Sequence, residues 1–429
     1  MADYLAFPPA KEVRGTVAAP PSKSATNRAL ILASFSETAV AIANPLESED
    51  TRALIRCLAA MGASFETVPR GLSVHGPLAG PADGEVALDA GESGTAARFL
   101  AAVASATPGR FLLTGSLRLR ERPVGELVLA LRSAGASIAY ADHEGHLPLA
   151  ISGASLRSFR VSVDASRSSQ FLSALLLVAP AVEGGLGVVS MTAVASAPYV
   201  EMTLECLRAF GHEVSGGLAA ADGIRVKRGE NPARRYEVPG DYSSALPLLA
   251  AAGAAGGRVT VTGLVSPSPD ADAGALPVLE RMGLELEWGS GALTCRARRA
   301  GLRPVAVVAT EFPDAVPALA SLAALAPGES RFEGIAHLRL KESDRIASLA
   351  ALLTAAGATA RALDACLVVE GPAVPRAGGA VRLPTLGDHR IAMAGGLLSL
   401  ALPGLLIENP DCVSKSYPGF FRDLATISY

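Results

Sequence analysis

Six short polar stretches in the chain carry the residue types that bind and act on anions. They are Ser22-Lys23-Ser24, Gly91-Glu92-Ser93-Gly94-Thr95, Ser166-Arg167-Ser168-Ser169-Gln170, Gly240-Asp241-Tyr242-Ser243-Ser244, Glu311-Phe312-Pro313-Asp314 and Gly387-Asp388-His389-Arg390. Each leads into an apolar run of helical length, so unpaired N–H groups and a positive dipole end meet small hydrogen-bonding side chains. The first is the plainest case: after Pro20-Pro21, Lys23 and Arg28 add two full positive charges to a Ser/Thr-rich helix opening. A capped helix start with solvated charges accounts for any one such stretch, but six of them in one chain ask for a common purpose. G-x-G-x-x-G and the P-loop pattern are both missing, so nucleotide phosphates are not bound by those routes.

The elements that position these stretches recur along the chain. Helix-like runs end in Gly62, Gly135, Gly211, Gly283 and Gly357, between 72 and 76 residues apart. Each reads as an amphipathic helix with a glycine C-cap and a strand behind it. A second helix shares the period, over 24–34, 94–104, 168–179, 243–254, 314–326 and 389–402. It is apolar nearly all round and is therefore buried. Six units of strands packed on two helices follow, an α/β organisation. With 429 residues, half of them hydrophobic, the chain suffices for two or three domains.

Charge and cysteines narrow the class. A net charge of −3 carries no footprint for nucleic acid, so cations that meet an anion must be gathered locally. Five widely spaced cysteines without a C-x-x-C indicate neither a disulfide frame nor a zinc knuckle, which fits a reducing cytoplasm. His143 and His146 lack the spacing of a helical zinc site, and no metal is expected. Neither a leader peptide nor a membrane-spanning run is evident.

Eight motifs make the resemblance specific. Pro21-Ser22-Lys23-Ser24, Gly94-Thr95-Ala96-Ala97-Arg98, Arg120-Glu121-Arg122-Pro123, Ser168-Ser169-Gln170, Phe312-Pro313-Asp314, Lys341-Glu342-Ser343-Asp344-Arg345, Gly387-Asp388-His389-Arg390 and Ser414-Lys415-Ser416-Tyr417-Pro418 occur in order across almost the whole chain. Together they resemble the 5-enolpyruvylshikimate-3-phosphate synthase family. The resemblance implies two domains of three βαβαββ units each, with the buried helices converging on an interdomain cleft. One domain would comprise 1–19 and 239–429, the other 20–238, joined by a two-strand hinge.

The implied reaction moves the enolpyruvyl group of phosphoenolpyruvate to the 5-hydroxyl of shikimate 3-phosphate and needs no cofactor. By resemblance, Lys23, Gly94, Arg122, Gln170, Arg345, Arg390 and Lys415 hold phosphoenolpyruvate. Lys23, Ser24, Arg28, Ser168, Ser169, Gln170, Ser196, Tyr199, Asp314, His337 and Lys341 hold shikimate 3-phosphate. Asp314 resembles the base on the attacking hydroxyl and Glu342 the proton donor to carbon, with Lys23 stabilising charge and sharing the base role. A monomer acting on small molecules, with no nucleic-acid or membrane partner, is expected, and glyphosate is the family's inhibitor.

Three positions depart from the commonest pattern of that family. Glu92 stands where Asn is usual, Phe99 where Pro often follows the helix Arg, and His337 where an Asn lies beside substrate. Gly94 is expected to leave the inhibitor's pocket open, with Glu92 and Phe99 flanking it. Two alternatives are weighed. UDP-N-acetylglucosamine enolpyruvyl transferase shares the fold but typically shows Lys-Asn at the first helix and a loop cysteine, whereas here Ser24 follows Lys23 and the loop around Arg122 has no cysteine. A non-catalytic repeat scaffold would show apolar anchors at the helix starts rather than small polar groups.

Overall fold

The computed structural model describes residues 3–154, 156–157, 160–229, 233–374 and 379–429. The chain forms two compact units, 1–20 with 240–429 and 21–239. Each unit has its own hydrophobic core: one runs from Phe7 to Ile427 without a residue between Val17 and Tyr242, and the other from Ala25 to Val238.

The unit spanning 21–239 holds three four-stranded sheets of one design, in which a parallel pair is extended by two antiparallel strands. In the clearest, Glu85–Asp89 runs parallel to Gly109–Thr114, which pairs antiparallel with Leu149–Gly153 and through it with Ser137–Tyr140. The buried helix Gly94–Ala106 and the outer helix Gly125–Ser133 fall between these strands, giving the order βαβαββ. The buried helices of this unit are Lys23–Ser34, Gly94–Ala106 and Ser169–Val178.

The other unit repeats the design with borrowed strands. Val13–Ala18 lies parallel to Gly257–Thr262, Val13 opposite Gly257 and Ala18 opposite Thr262. Its last sheet has three strands, and Tyr4–Ala6 from the start of the chain pairs antiparallel with Leu405–Glu408. The buried helices are Tyr242–Ala255, Val316–Leu325 and His389–Ala401; every residue of the first and third is buried, their apolar bodies packed in the core and their few polar residues, such as Ser243 and Arg390, mostly at the helix starts.

The five repeating glycines all sit at left-handed φ, between 82° at Gly211 and 109° at Gly62, which is the C-cap geometry that disfavours a Cβ. Three buried-helix starts shift by one residue from the sequence reading, to Lys23, Ser169 and Tyr242, and one by two. The run expected from Asp314 begins at Val316, because Pro317 fits the first turn, where an N–H has no intrahelical partner, and Asp314 is left in the preceding turn. Among the described residues no helix is long and apolar enough to cross a membrane.

Candidate active site

In the unit built from 1–20 and 240–429, Asp314 is the centre of a charge cluster. Asp314 sits just before its helix, Glu342 and Arg345 come from the opening of the Arg345–Ala355 helix, Arg390 from the first turn of His389–Ala401, and Lys415 from the short turn Pro410–Lys415. Arg345 directs Nη1 to Asp314 Oδ1 at 2.6 Å, Nη2 to Glu342 Oε2 at 2.7 Å and Nε to Asp388 Oδ2 at 2.8 Å. Lys341 Nζ reaches Asp314 Oδ1 at 3.3 Å, Arg390 Nη2 lies 3.8 Å from Asp314 Oδ2, and Lys415 Nζ lies 3.7 Å from Glu342 Oε1.

These distances set the chemistry of Asp314. Burial alone would push its carboxyl up, but Lys341, Arg345 and Arg390 outweigh that effect and hold it well below the usual carboxylate range. Asp314 is therefore ionised at neutral pH, as a proton acceptor must be. His337 belongs to the same neighbourhood: burial first, and then the Lys341 charge, pushes its imidazole down to about 4, so it is neutral at pH 7. Its Nε2 is buried without a hydrogen-bond partner among the described residues.

In the unit spanning 21–239 the expected residues fall into small groups. Lys23 Nζ pairs with Asp50 Oδ2 at 3.0 Å. Gln170 donates Nε2 to Thr95 at 3.0 Å and accepts from Arg98 Nη1 at 2.7 Å, which joins the starts of two buried helices. Ser168 caps its helix by accepting from Gln170 N at 3.3 Å, and Ser169 beside it is buried. Ser196 holds a left-handed φ of 57° and accepts from Tyr199 N through its carbonyl at 3.1 Å.

One expectation is corrected by this geometry, and two other residues gain their surroundings. Arg28 is 2% exposed, and its nitrogens donate to Thr203 at 2.8 Å and to the carbonyls of Ser24 and Tyr199 at 2.9 Å each. The guanidinium found an internal role because Ser24 and Tyr199 present carbonyls within its reach. A Cβ built on Gly94 would lie 2.5 Å from Arg122 Nη1 and 2.6 Å from Arg122 Cζ, so the glycine leaves that space to the guanidinium. Phe99 does not line that space, against expectation. It is fully buried, with the Arg28 guanidinium 5.3 Å from its ring centroid, while Glu92 is exposed.

Several residues that shape the cluster escaped the sequence reading. Asp388 both caps its own helix, accepting from Arg390 N at 2.9 Å, and binds Arg345. In the other unit Asp50 stands in the acidic first turn of the Glu49–Ala60 helix, and nothing local to it announces Lys23, 27 residues away. Asp272 lies under the start of the Val316–Leu325 helix, where it accepts from Ala315 N at 3.1 Å. The Asp-Ala-Asp spacing around it could have flagged an acidic pair, though not its destination.

Comparison with known proteins places the whole chain. The family model described as EPSP synthase (3-phosphoshikimate 1-carboxyvinyltransferase) matches residues 8–424. The 3-phosphoshikimate 1-carboxyvinyltransferase of Methanoculleus marisnigri is 39% identical over 408 residues, covering 95% of each chain. That of Shewanella halifaxensis is 36% identical over 431 residues, covering 99% of this chain and all of the relative. The solved EPSP synthase of Acinetobacter baumannii superposes with a TM-score of 0.81 at 26% identity, over 100% of this chain and 98% of its own. A match that runs from Pro8 to Leu424 takes in Lys23, Arg122, Asp314, Glu342, Arg345, Arg390 and Lys415 alike, and the chain belongs to the EPSP synthase family.

Proposed function

We propose that the chain is an enzyme that transfers the enolpyruvyl group of phosphoenolpyruvate to the 5-hydroxyl of shikimate 3-phosphate, releasing phosphate, in the shikimate route to chorismate and the aromatic amino acids. The observation that carries this reading is Asp314 held ionised among Lys341, Arg345 and Arg390. Two substrates bringing phosphates and carboxylates require such a concentration of cations in a chain of net charge −3.

The addition step joins the substrate hydroxyl oxygen to C2 of phosphoenolpyruvate. Asp314 accepts the hydroxyl proton, and Glu342 delivers a proton to the methylene carbon, giving a tetrahedral intermediate. Elimination then removes a proton from the new methyl group, restores the double bond and expels phosphate from C2. Within the cluster the cations pair with the carboxylates. Substrate anions that engage Arg345 and Arg390 weaken their hold on Asp314, which raises its basicity when a base is needed. Anions that draw Arg345 and Lys415 from Glu342 likewise let it take up the proton it delivers.

Arg122, Gln170, Lys23 and Gly94 join Arg345, Arg390 and Lys415 as the phosphoenolpyruvate set. Lys23, Ser24, Arg28, Ser168, Ser169, Gln170, Ser196, Tyr199, Asp314, His337 and Lys341 serve shikimate 3-phosphate. The enzyme works as a cytoplasmic monomer and is open to glyphosate. The test is phosphate release from phosphoenolpyruvate with shikimate 3-phosphate against UDP-N-acetylglucosamine. Release with the sugar nucleotide alone would refute the reading.

A further inference from the structure

The helix after Asp314 is capped unlike the other five buried helices. Ser22, Ser93, Ser168, Asp241 and Asp388 each turn a side-chain oxygen onto an N–H of the turn that follows them. Val316–Leu325 has Ala315 at its N-cap and no side-chain cap of its own. The Ala315 N–H goes to Asp272 Oδ1 at 3.1 Å, from a turn 43 residues earlier, and more loosely to the Phe312 carbonyl at 3.3 Å. The second Asp272 oxygen accepts the Ser243 hydroxyl. The Ser243 carbonyl in turn accepts Arg390 Nη1 at 2.6 Å. Asp272 is fully buried.

Position alone would make Asp314 the residue to cap this helix, and a capping carboxylate turns its oxygens onto backbone N–H groups. Instead Asp314 gives Oδ1 to Lys341 and Arg345 and Oδ2 to Arg390. We propose that Asp272 is a positioning residue, a surrogate cap that frees the Asp314 carboxylate for chemistry and, through Ser243, fixes Arg390. The proposal rests on reading Asp314 as the base and Arg390 as an anion ligand.

Asp272 also brings a charge that the site must accommodate. Burial first, and then the charge of Asp314, pushes its carboxyl up to about 7, against the pull of the Ser243 hydroxyl and Arg390. On its own turn Asp270 faces it, accepting Asp272 N at 3.0 Å and Tyr242 N at 3.3 Å, and is pushed up by burial and by Asp241 and Asp272. From the packed helices it meets Asp241 and Tyr242, whose phenol donates to the Val265 carbonyl, then Asp314, and then Arg390. A neutral Asp272 leaves the Arg390 charge to an incoming anion, whereas an ionised one opposes that anion. Anionic substrate is therefore bound more weakly as pH rises through 7.

Steady-state kinetics from pH 6 to 8 on the wild type, Asp272→Asn, Asp272→Ala and Ser243→Ala, with a thermal melt of each, test this. Asn keeps an acceptor for Ala315 N and stays neutral. Its kcat/KM for phosphoenolpyruvate relative to wild type is expected to rise up to about tenfold from pH 6 to pH 8, the substrates' own ionisations cancelling in the ratio. Ala leaves the Ala315 N–H with only the longer bond to the Phe312 carbonyl and lowers kcat by about tenfold at every pH, and Asn rescues most of that loss. Ser243→Ala raises KM more than it lowers kcat. If Asn and Ala match wild type, or if Asn loses as much kcat and melting temperature as Ala with an unchanged pH profile, the proposal is overturned. A wild type that releases no phosphate overturns the functional reading and the proposal with it, whereas an active wild type with unchanged variants overturns the proposal alone.

Discussion

Arg345 Nε lies 2.8 Å from Asp388 Oδ2, with the two side chains 1% and 0% exposed. This buried pair fixes one edge of the guanidinium and so aims the remaining nitrogens at Asp314 and Glu342. Removing one partner of a buried pair leaves a charge without full compensation, so Asp388→Ala is expected to lower stability by about 3–5 kcal/mol. Urea unfolding of the intact protein measures it. An unchanged midpoint would show that the pair has no structural role.

Glu342 and Arg122 are expected to fail differently. Glu342→Gln keeps the shape but cannot deliver a proton, so kcat falls by about 10²–10⁴-fold while KM changes little. Arg122→Ala removes a charged donor from the ground state and raises KM for phosphoenolpyruvate by roughly 10- to 100-fold. Equal losses in both parameters for both variants would sink the division of roles.

Gly94→Ala acts through Arg122. The new methyl would meet the guanidinium at 2.5 Å, so Arg122 must swing away. Crowding of that kind costs about 1–3 kcal/mol, and KM for phosphoenolpyruvate is expected to rise by roughly tenfold. The glyphosate inhibition constant rises at least as much, because the same cation is displaced. A variant that loses glyphosate sensitivity while KM stays at the wild-type value would refute this account.

Stability on the acid side should follow His337. Folding keeps its imidazole neutral down to about 4, while the unfolded chain takes up the proton near 6.5. The contribution is thus complete above 6.5 and is lost as pH falls toward 4. His212, also pushed down to about 4 by burial, behaves alike. Asp314 adds a second loss at lower pH, since a carboxyl held below its usual range stabilises above the unfolded value and fails as pH falls through the folded one. His337→Asn should remove the first component. Chemical denaturation at pH 7, 5.5 and 4.5 decides it, and identical slopes for variant and wild type would rule it out.

The buried helices were legible because a repeat of Gly-capped helices and apolar runs leaves a mark in the linear order, and the positive φ at Gly62 and Gly357 confirms what that mark meant. The sheet borders were not legible. Tyr4–Ala6 is three residues long, and only its partner Leu405–Glu408 makes it a strand. In each unit the cations could be named from motifs, but the local geometry depends on carboxylates distant in sequence: Asp50 for Lys23 in one, and Asp272 for the helix after Asp314 in the other. Arg28 shows the converse. Its charge is plain in the sequence, whereas its burial depends on Thr203 and Tyr199, contributed by a helix formed far downstream.

The borrowed strands also impose an order of events during synthesis. Residues 21–239 form a continuous segment whose ends meet, Ser22 N donating to Pro239 O at 2.8 Å, so every strand partner it needs is present once that segment has left the ribosome. The first twenty residues emerge earlier yet cannot settle. Val13–Ala18 waits for Gly257–Thr262, and Tyr4–Ala6 waits for Leu405–Glu408. At about 5–20 residues per second, that last strand stays unpaired for roughly 20–80 s. Tyr4–Ala6 is thus among the last strands to be secured, and through that interval it carries an open edge for a holding chaperone to shield.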